Sequence, residues 1–374
     1  MSGVIQSTKQ RSLLVSSCII FLLATSCGVL RNSSSERNSS SDMKTTFSPT
    51  PTPTSSKRNS SSDADPFAQN ARLGRGVNLG NALEAPIEWA WGVTLHAEYF
   101  QLIKEAGFDS VRIPIRWSAH AQATPPYTID ASFFERVDWA VEQSLSNGLL
   151  AIINMHHYEE IFTDPATHKE RFIALWDQIA THYQRYSTEL IFELLNEPHA
   201  QLSGKLWNPL MTETLSTVRR TNPQRNVIIG PVEWNNLRAL DGLELPAEDQ
   251  HIIVTFHYYE PFHFTHQGAE WVEGSALWKG MTWQGSESEK NAVTRDFDRA
   301  QAWAERNQRP LFMGEFGAYS KADIASRARW TDYVARQAEE RGFSWAYWEF
   351  CAGFGVYDRD KQTWNQSILE ALIP

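Results

Sequence analysis

Two glutamates fall at chemically suggestive places. Glu197 closes the apolar run in LIFELLNEPH, and Glu315 closes a second in PLFMGEFGAY. Paired carboxyl groups suit cleavage of a glycosidic bond. One carboxylic acid protonates the leaving oxygen, while the other, as carboxylate, attacks the sugar or activates water. The two must hold different protonation states, so their surroundings must push their pKa values apart. Arg112 in RIPIRW offers a charge to keep Glu315 anionic, and Tyr259 in FHYY offers it a hydrogen bond. Glu197 needs only partial burial and the repulsion of its neighbour to stay protonated. Alone, LIFELLNEPH would pass for a strand running into an ordinary polar turn.

His156 and His157 in INMHHYE, with His257 and Glu315, raise a metal alternative, because zinc sites often combine two histidines with a carboxylate. Adjacent histidines on a strand point to opposite faces, and the chain has no HExxH motif. No metal and no other cofactor is expected.

Elements must bring these residues together. Apolar runs predict strands near 75–81, 110–117, 149–156, 191–197, 226–234, 252–259, 310–316 and 344–350. Helical patterns lie between them, for example over 132–147, 168–186, 291–307, 323–341 and 365–372; the segment after the fifth strand is the weakest. Continuous apolar strands are what a parallel sheet covered on both faces requires. Eight strands alternating with helices point to an α/β protein, a (β/α)8 TIM barrel. The runner-up is a doubly wound open sheet, weakened by the lack of a glycine-rich phosphate loop after the first strand. Barrels build their sites at the C-terminal strand ends. There the sequence places Asn81 and Glu84, Arg112, His156 and His157, Asn196 and Glu197, His257 and Tyr259, Glu315, and Trp348 and Glu349. Asn196 and Glu197 are adjacent, so the chain must bend or bulge for both to face one site. Pro198 should bias Glu197 toward extended backbone. Gly314 and Gly317 flank Glu315 and allow close approach of neighbours. Glu193 shares a face with Glu197 and reads as an interior acid below the site.

Ahead of this domain, assigned to residues 66–374, lie two other segments. Residues 1–26 combine Lys9 and Arg11 with a short apolar run from Leu13 to Ala24, the pattern of an export signal and too short to span a bilayer. The signal ends LLATSC, which resembles a lipobox with Cys27 as the lipidated residue. Residues 27–65, with RNSSS repeated from Arg31, Arg37 and Arg58, are expected to form a disordered Ser/Thr/Pro-rich linker. An exported protein is expected, held as a cell-surface or outer-membrane lipoprotein by lipid on Cys27, or alternatively secreted or periplasmic. A net charge of −10 argues against a nucleic-acid partner. No obligate protein partner is inferred. Cys351 has no cysteine partner in the domain, so no disulfide framework supports it. Fifteen tryptophans supply flat faces for packing and for stacking on sugars. Trp176, Trp303 and Trp330 sit in helical patterns and are expected in the barrel–helix layer.

Six motifs in order, RIPIRW, INMHHYE, LNEPH, FHYYEPFHFTHQGAEW, MGEFGAY and WAYWEF, make the chain from about Arg72 to Leu372 resemble glycoside hydrolase family 5. The similarity is greatest to the endo-β-1,4-glucanase subgroup that also accepts β-mannan. The resemblance implies a retaining (β/α)8 enzyme acting on β-1,4-linked polysaccharide or oligosaccharide. It implies Glu197 as general acid/base and Glu315 as nucleophile. Arg112, His156, Asn196, His257, Tyr259 and Trp348 would surround the cleaved bond. Asn81, Glu84, His157, His266, Trp271 and Glu349 would join Trp348 in holding sugars. It also implies a cis Trp348–Glu349 peptide. A dedicated endo-β-mannanase or related retaining glycosidase is the alternative. A non-catalytic surface glycan-binding lipoprotein is a remote one, needing the tryptophans but not both acids.

Overall fold

The computed structural model describes residues 65–374. The expected signal, Cys27 and all but the last linker residue lie outside the described residues. Eight parallel strands close on themselves: β1 Arg75–Asn78, β2 Ser110–Ile113, β3 Leu150–Asn154, β4 Leu190–Glu193, β5 Val227–Ile229, β6 Ile252–Tyr258, β7 Leu311–Phe316 and β8 Ser344–Tyr347. β1 pairs with both β2 and β8, which excludes the open sheet.

The alternation of side chains along a strand builds two cores. On β4, Leu190 and Phe192 join the layer between barrel and helices, together with Trp176, Trp303 and Trp330. Ile191 turns to the barrel axis and packs with Ile152, Ile228, Ile253 and Phe312. Leu73 joins that axial cluster from a short helix, Pro66–Leu73, absent from the sequence expectation. Only two of its eight residues are aliphatic or aromatic beyond alanine and proline, Phe67 and Leu73, which leaves too faint a period to detect. Asp65 caps this helix, and Asn70 donates to the Leu311 carbonyl at 3.0 Å, tying it to the strands.

The ladders stop earlier than the apolar runs. β4 ends at Glu193, so Asn196 and Glu197 stand on a loop beyond it. The helices at Ala131–Ser146, Pro165–His182, Glu287–Asn307, Ile324–Glu340 and Gln366–Leu372 correspond to the expected ones. After β5 no long helix forms. A four-residue turn, Val232–Asn235, leads into a 3-10 stretch, Leu237–Gly242. The pairing register also slips twice near the site, between Phe256 and His257 on β6 and between Met313 and Phe316 on β7. These irregularities sit at the C-terminal strand ends and redirect side chains there.

Candidate active site

Arg112 organises the floor of the site. It leaves β2 pointing to the barrel axis with no solvent exposure. All five of its N–H donors are used. Nε and Nη2 bind Glu193 at 2.6 and 2.8 Å; Nη1 reaches Asn78 Oδ1 at 2.8 Å and Glu315 Oε1 at 2.7 Å; Nη2 also reaches Asn196 Oδ1 at 2.8 Å. Glu193, an interior acid as its face predicted, therefore takes half of the fork. Asn78 is held in turn by donating to the Gly314 carbonyl at 3.0 Å.

Glu315 stands on the irregular part of β7. Tyr259 donates to its Oε2 at 2.9 Å while Arg112 holds Oε1. A Cβ at Gly314 would meet Thr255 Oγ1 at 2.7 Å and His257 Nε2 at 3.1 Å, and one at Gly317 would collide with the Trp348 carbonyl. Both glycines are thus required by close approach. Burial pushes the Glu315 carboxyl up, opposed by His257 and Arg112. Arg112 acts in the expected direction, favouring the anion, but burial outweighs it.

Glu197 faces Glu315 from the loop after β4, with its side chain 24% exposed. Its φ is +49°, which corrects the extended backbone expected from Pro198. Tertiary contacts override the proline bias: His257 Nδ1 holds Oε1 at 2.8 Å, and Trp234 N–H donates to the Pro198 carbonyl at 3.3 Å. Burial raises the Glu197 carboxyl to about 7, against Arg112, His199 and His157. Burial also lowers His257 to about 4, so its ring is neutral near pH 7. Single oxygens of Glu197 and Glu315 and one nitrogen of His257 all lie within 4.8 Å of one another. This is the only metal-like grouping among the described residues, and Arg112 already occupies one oxygen of Glu315 at 2.7 Å. His156 and His157 are not in it: Asn154 donates to His156 Nδ1 at 3.1 Å, and His157 pairs with Glu159 at 3.3 Å. Asn154 Oδ1 accepts from Ile115 N–H, which orients the amide and leaves His156 with its proton on Nε2.

The cavity over these groups measures about 1250 Å³. Asn81, Glu84, His156, His157, Asn196, Tyr259, His266, Trp271 and Trp348 all line it with the two acids. Trp348 lies parallel to His156 with ring centres 5.5 Å apart. The Trp348–Glu349 peptide is cis. Trp271 is 61% exposed and braced edge-on by Tyr319, whereas His266 is buried against Tyr259. Glu349 departs from its sugar-holding role. It is fully buried and accepts the N–H groups of Cys351, Ala352 and Phe354, so it shapes the loop beneath the cavity. Glu84 likewise accepts from Asn81 and Ala82 N–H, yet borders the cavity. A second cavity of about 520 Å³ continues past Glu197 between Trp234, Phe262 and Trp271.

Sequence reasoning missed Trp91, which lines the cavity and meets His157 edge-on, and the hairpin of Tyr357–Asp358 with Thr363–Trp364 on the cavity rim. The paired tryptophans of EWAWG and the turn residues of YDRDKQTW were the available signals.

Comparison with known proteins agrees with this geometry. Residues 73–353 match the family model described as cellulase, glycosyl hydrolase family 5. Endoglucanase H of Acetivibrio thermocellus is 40% identical over 315 residues, covering 83% of this chain and 34% of that protein. The chain thus spans about a third of that relative's length. Endoglucanase B of Clostridium cellulovorans is 29% identical, covering 80% of this chain and 73% of the relative. Among solved structures, Thermotoga maritima Cel5A in complex with mannotriose is 53% identical with a TM-score of 0.82, covering 83% of this chain and 100% of that one. Cel5A with cellobiose matches equally. With a closed barrel, two facing glutamates and a family match over most of its length, this chain belongs to the cellulase family, glycosyl hydrolase family 5.

Proposed function

We propose that the protein is a retaining endo-β-1,4-glucanase. The observation that carries this reading is the close approach of Glu197 and Glu315, with an oxygen of each within 4.8 Å of the other. Retaining enzymes hold their carboxyl groups about 5–5.5 Å apart, whereas inverting ones leave room for a water at about 6.5–9.5 Å. In the first step Glu315 attacks the anomeric carbon as Glu197 protonates the departing oxygen, giving a covalent glycosyl-enzyme. In the second, Glu197 takes a proton from water, which displaces Glu315. Arg112 and Tyr259 hold the nucleophile by one oxygen each, which fixes its direction of attack. Cavities on both sides of Glu197 suit a chain lying through the site, and so internal cleavage.

Acceptance of glucomannan or mannan is proposed alongside, supported by the Cel5A relative solved with mannotriose as well as cellobiose. Reducing ends released from mixed-linkage glucan, glucomannan, mannan and xylan test both parts. Internal cuts in glucan are expected, and xylan is expected to resist. Activity confined to mannan would make the protein a dedicated mannanase instead.

We also propose that the chain is exported and lipidated at Cys27, supported by the LLATSC sequence behind a short apolar run. Radiolabelled palmitate should enter the protein and be lost with Cys27→Ala. Unlabelled wild-type protein in the medium would favour simple secretion.

A further inference from the structure

The turn after β5 is conformationally unusual. Glu233, Trp234 and Asn235 have φ of 60°, 60° and 54°, three successive non-glycine residues in the left-handed region. Such backbone is disfavoured for L-residues and persists where the surroundings demand it. The outcome of the turn is to drive Asn235, with no solvent exposure, under His257. Its neighbour Asn236 bridges the His257 backbone in parallel fashion. The Asn235 amide nitrogen lies 3.2 Å from His257 Nε2. Its oxygen lies against Gly230, where any Cβ would collide with it.

The hydrogen-bonding chemistry then fixes a proton. His257 Nδ1 faces two carboxylates, Glu197 Oε1 at 2.8 Å and Glu315 Oε2 at 3.6 Å. A ring nitrogen between two acceptors carries the hydrogen. The neutral ring has one hydrogen only, so Nε2 must accept, and the group presented to it is the Asn235 amide. Burial, which keeps the ring neutral, agrees with this assignment.

We propose that Asn235 is a positioning residue for the acid/base step: by donating to Nε2 it holds His257 in the Nδ1–H form, which keeps Glu197 Oε1 an acceptor and confines the transferable proton to Oε2. This deepens the glycosidase reading and rests on it. Asn235 touches no reacting atom. It acts through His257, which would otherwise be free to take the other tautomer and accept a proton from Glu197 Oε1. No signal in the sequence marks the residue beyond an asparagine pair, Asn235 and Asn236, in the weakest helical segment.

Two measurements on the full chain test the proposal. The first needs no variant. Long-range 15N–1H correlation should show His257 with a protonated Nδ1 and a bare Nε2; the reverse pattern in the wild-type protein would overturn the proposal. The second uses Asn235→Asp, which keeps the shape and tolerates a left-handed backbone but presents an acceptor to Nε2. Here a hydrogen on Nε2 is expected. Hydrolysis of an alkyl β-cellobioside, which needs the acid, should fall about tenfold or more, within the range that a general acid contributes. The kcat/KM for 2,4-dinitrophenyl β-cellobioside, which reports only formation of the glycosyl-enzyme and whose leaving group needs no proton, should stay within about threefold of wild type. Equal loss on both substrates would mean a merely structural role and overturn the proposal. Failure of the wild-type protein on both glycosides would instead remove the glycosidase reading, so the two failures are distinguishable.

Discussion

At the residue scale, two carboxyl groups in one cavity are made unequal by their partners. Glu315 is gripped by Arg112 and Tyr259, whereas Glu197 meets a neutral His257 and remains partly open to the cavity. With Glu197 raised to about 7, its acid form is fully present below that pH and lost as pH climbs through it. The alkaline limb of kcat/KM is therefore expected near pH 7, measured on an unactivated cellobioside. A limb above pH 9 would contradict the assignment. Glu197→Gln removes both the proton donor and the later base, and kcat/KM on that substrate should drop by about 10²–10⁴. Glu315→Gln removes the nucleophile and should drop it further. Circular dichroism should show both variants folded, since Arg112 keeps its pairing with Glu193. Near-full activity in either variant would contradict that residue's role.

At the element scale, strand irregularities aim the acids. Most elements were legible in the sequence for a simple reason: strands buried on both faces must be apolar throughout, and the eight runs are. Period two alone pointed Glu193 into the barrel interior, where the structure pairs it with Arg112. What could not be read were the departures from regularity. Pro198 pointed to an extended Glu197, but contacts from β6 and the turn after β5 hold φ at +49°. Those partners are distant in sequence, and local preference carries no record of them. The left-handed turn at 233–235 was hidden for the same reason. The helix starts at Glu287, four residues before the apolar period becomes visible, and Ser286 and Glu289 form the capping box that SESEK displays. Gly314 offers a direct test of how the β7 irregularity works. In Gly314→Ala the new methyl would press on Thr255 and on the His257 ring. A stability loss of about 1–3 kcal/mol by denaturant unfolding is expected from overpacking. The kcat/KM on an alkyl cellobioside should fall as His257 shifts from Glu197. Unchanged activity would show that the site tolerates the displacement and would contradict this account of the glycine.

At the scale of the whole molecule, the barrel stacks three layers along its axis. An apolar plug around Ile191 and Leu73 lies lowest, the Arg112 network sits on it, and the cavity opens above. Each layer draws on several strands, so the site exists only when the barrel is closed. The sequence displayed the two facing acids because acids ending apolar runs are conspicuous; the signals for Trp91 and the rim hairpin were weaker, since their residues resemble ordinary surface loops. In the proposed double displacement Glu315 becomes covalently linked to the sugar. Incubation with 2,4-dinitrophenyl 2-deoxy-2-fluoro-β-cellobioside, followed by intact-mass and peptide-mass spectrometry, tests it most directly. One added fluorocellobiosyl group is expected, carried by the peptide containing Glu315. An adduct on any other residue, or hydrolysis of β-cellobiosides to the α-anomer with no adduct, would contradict it.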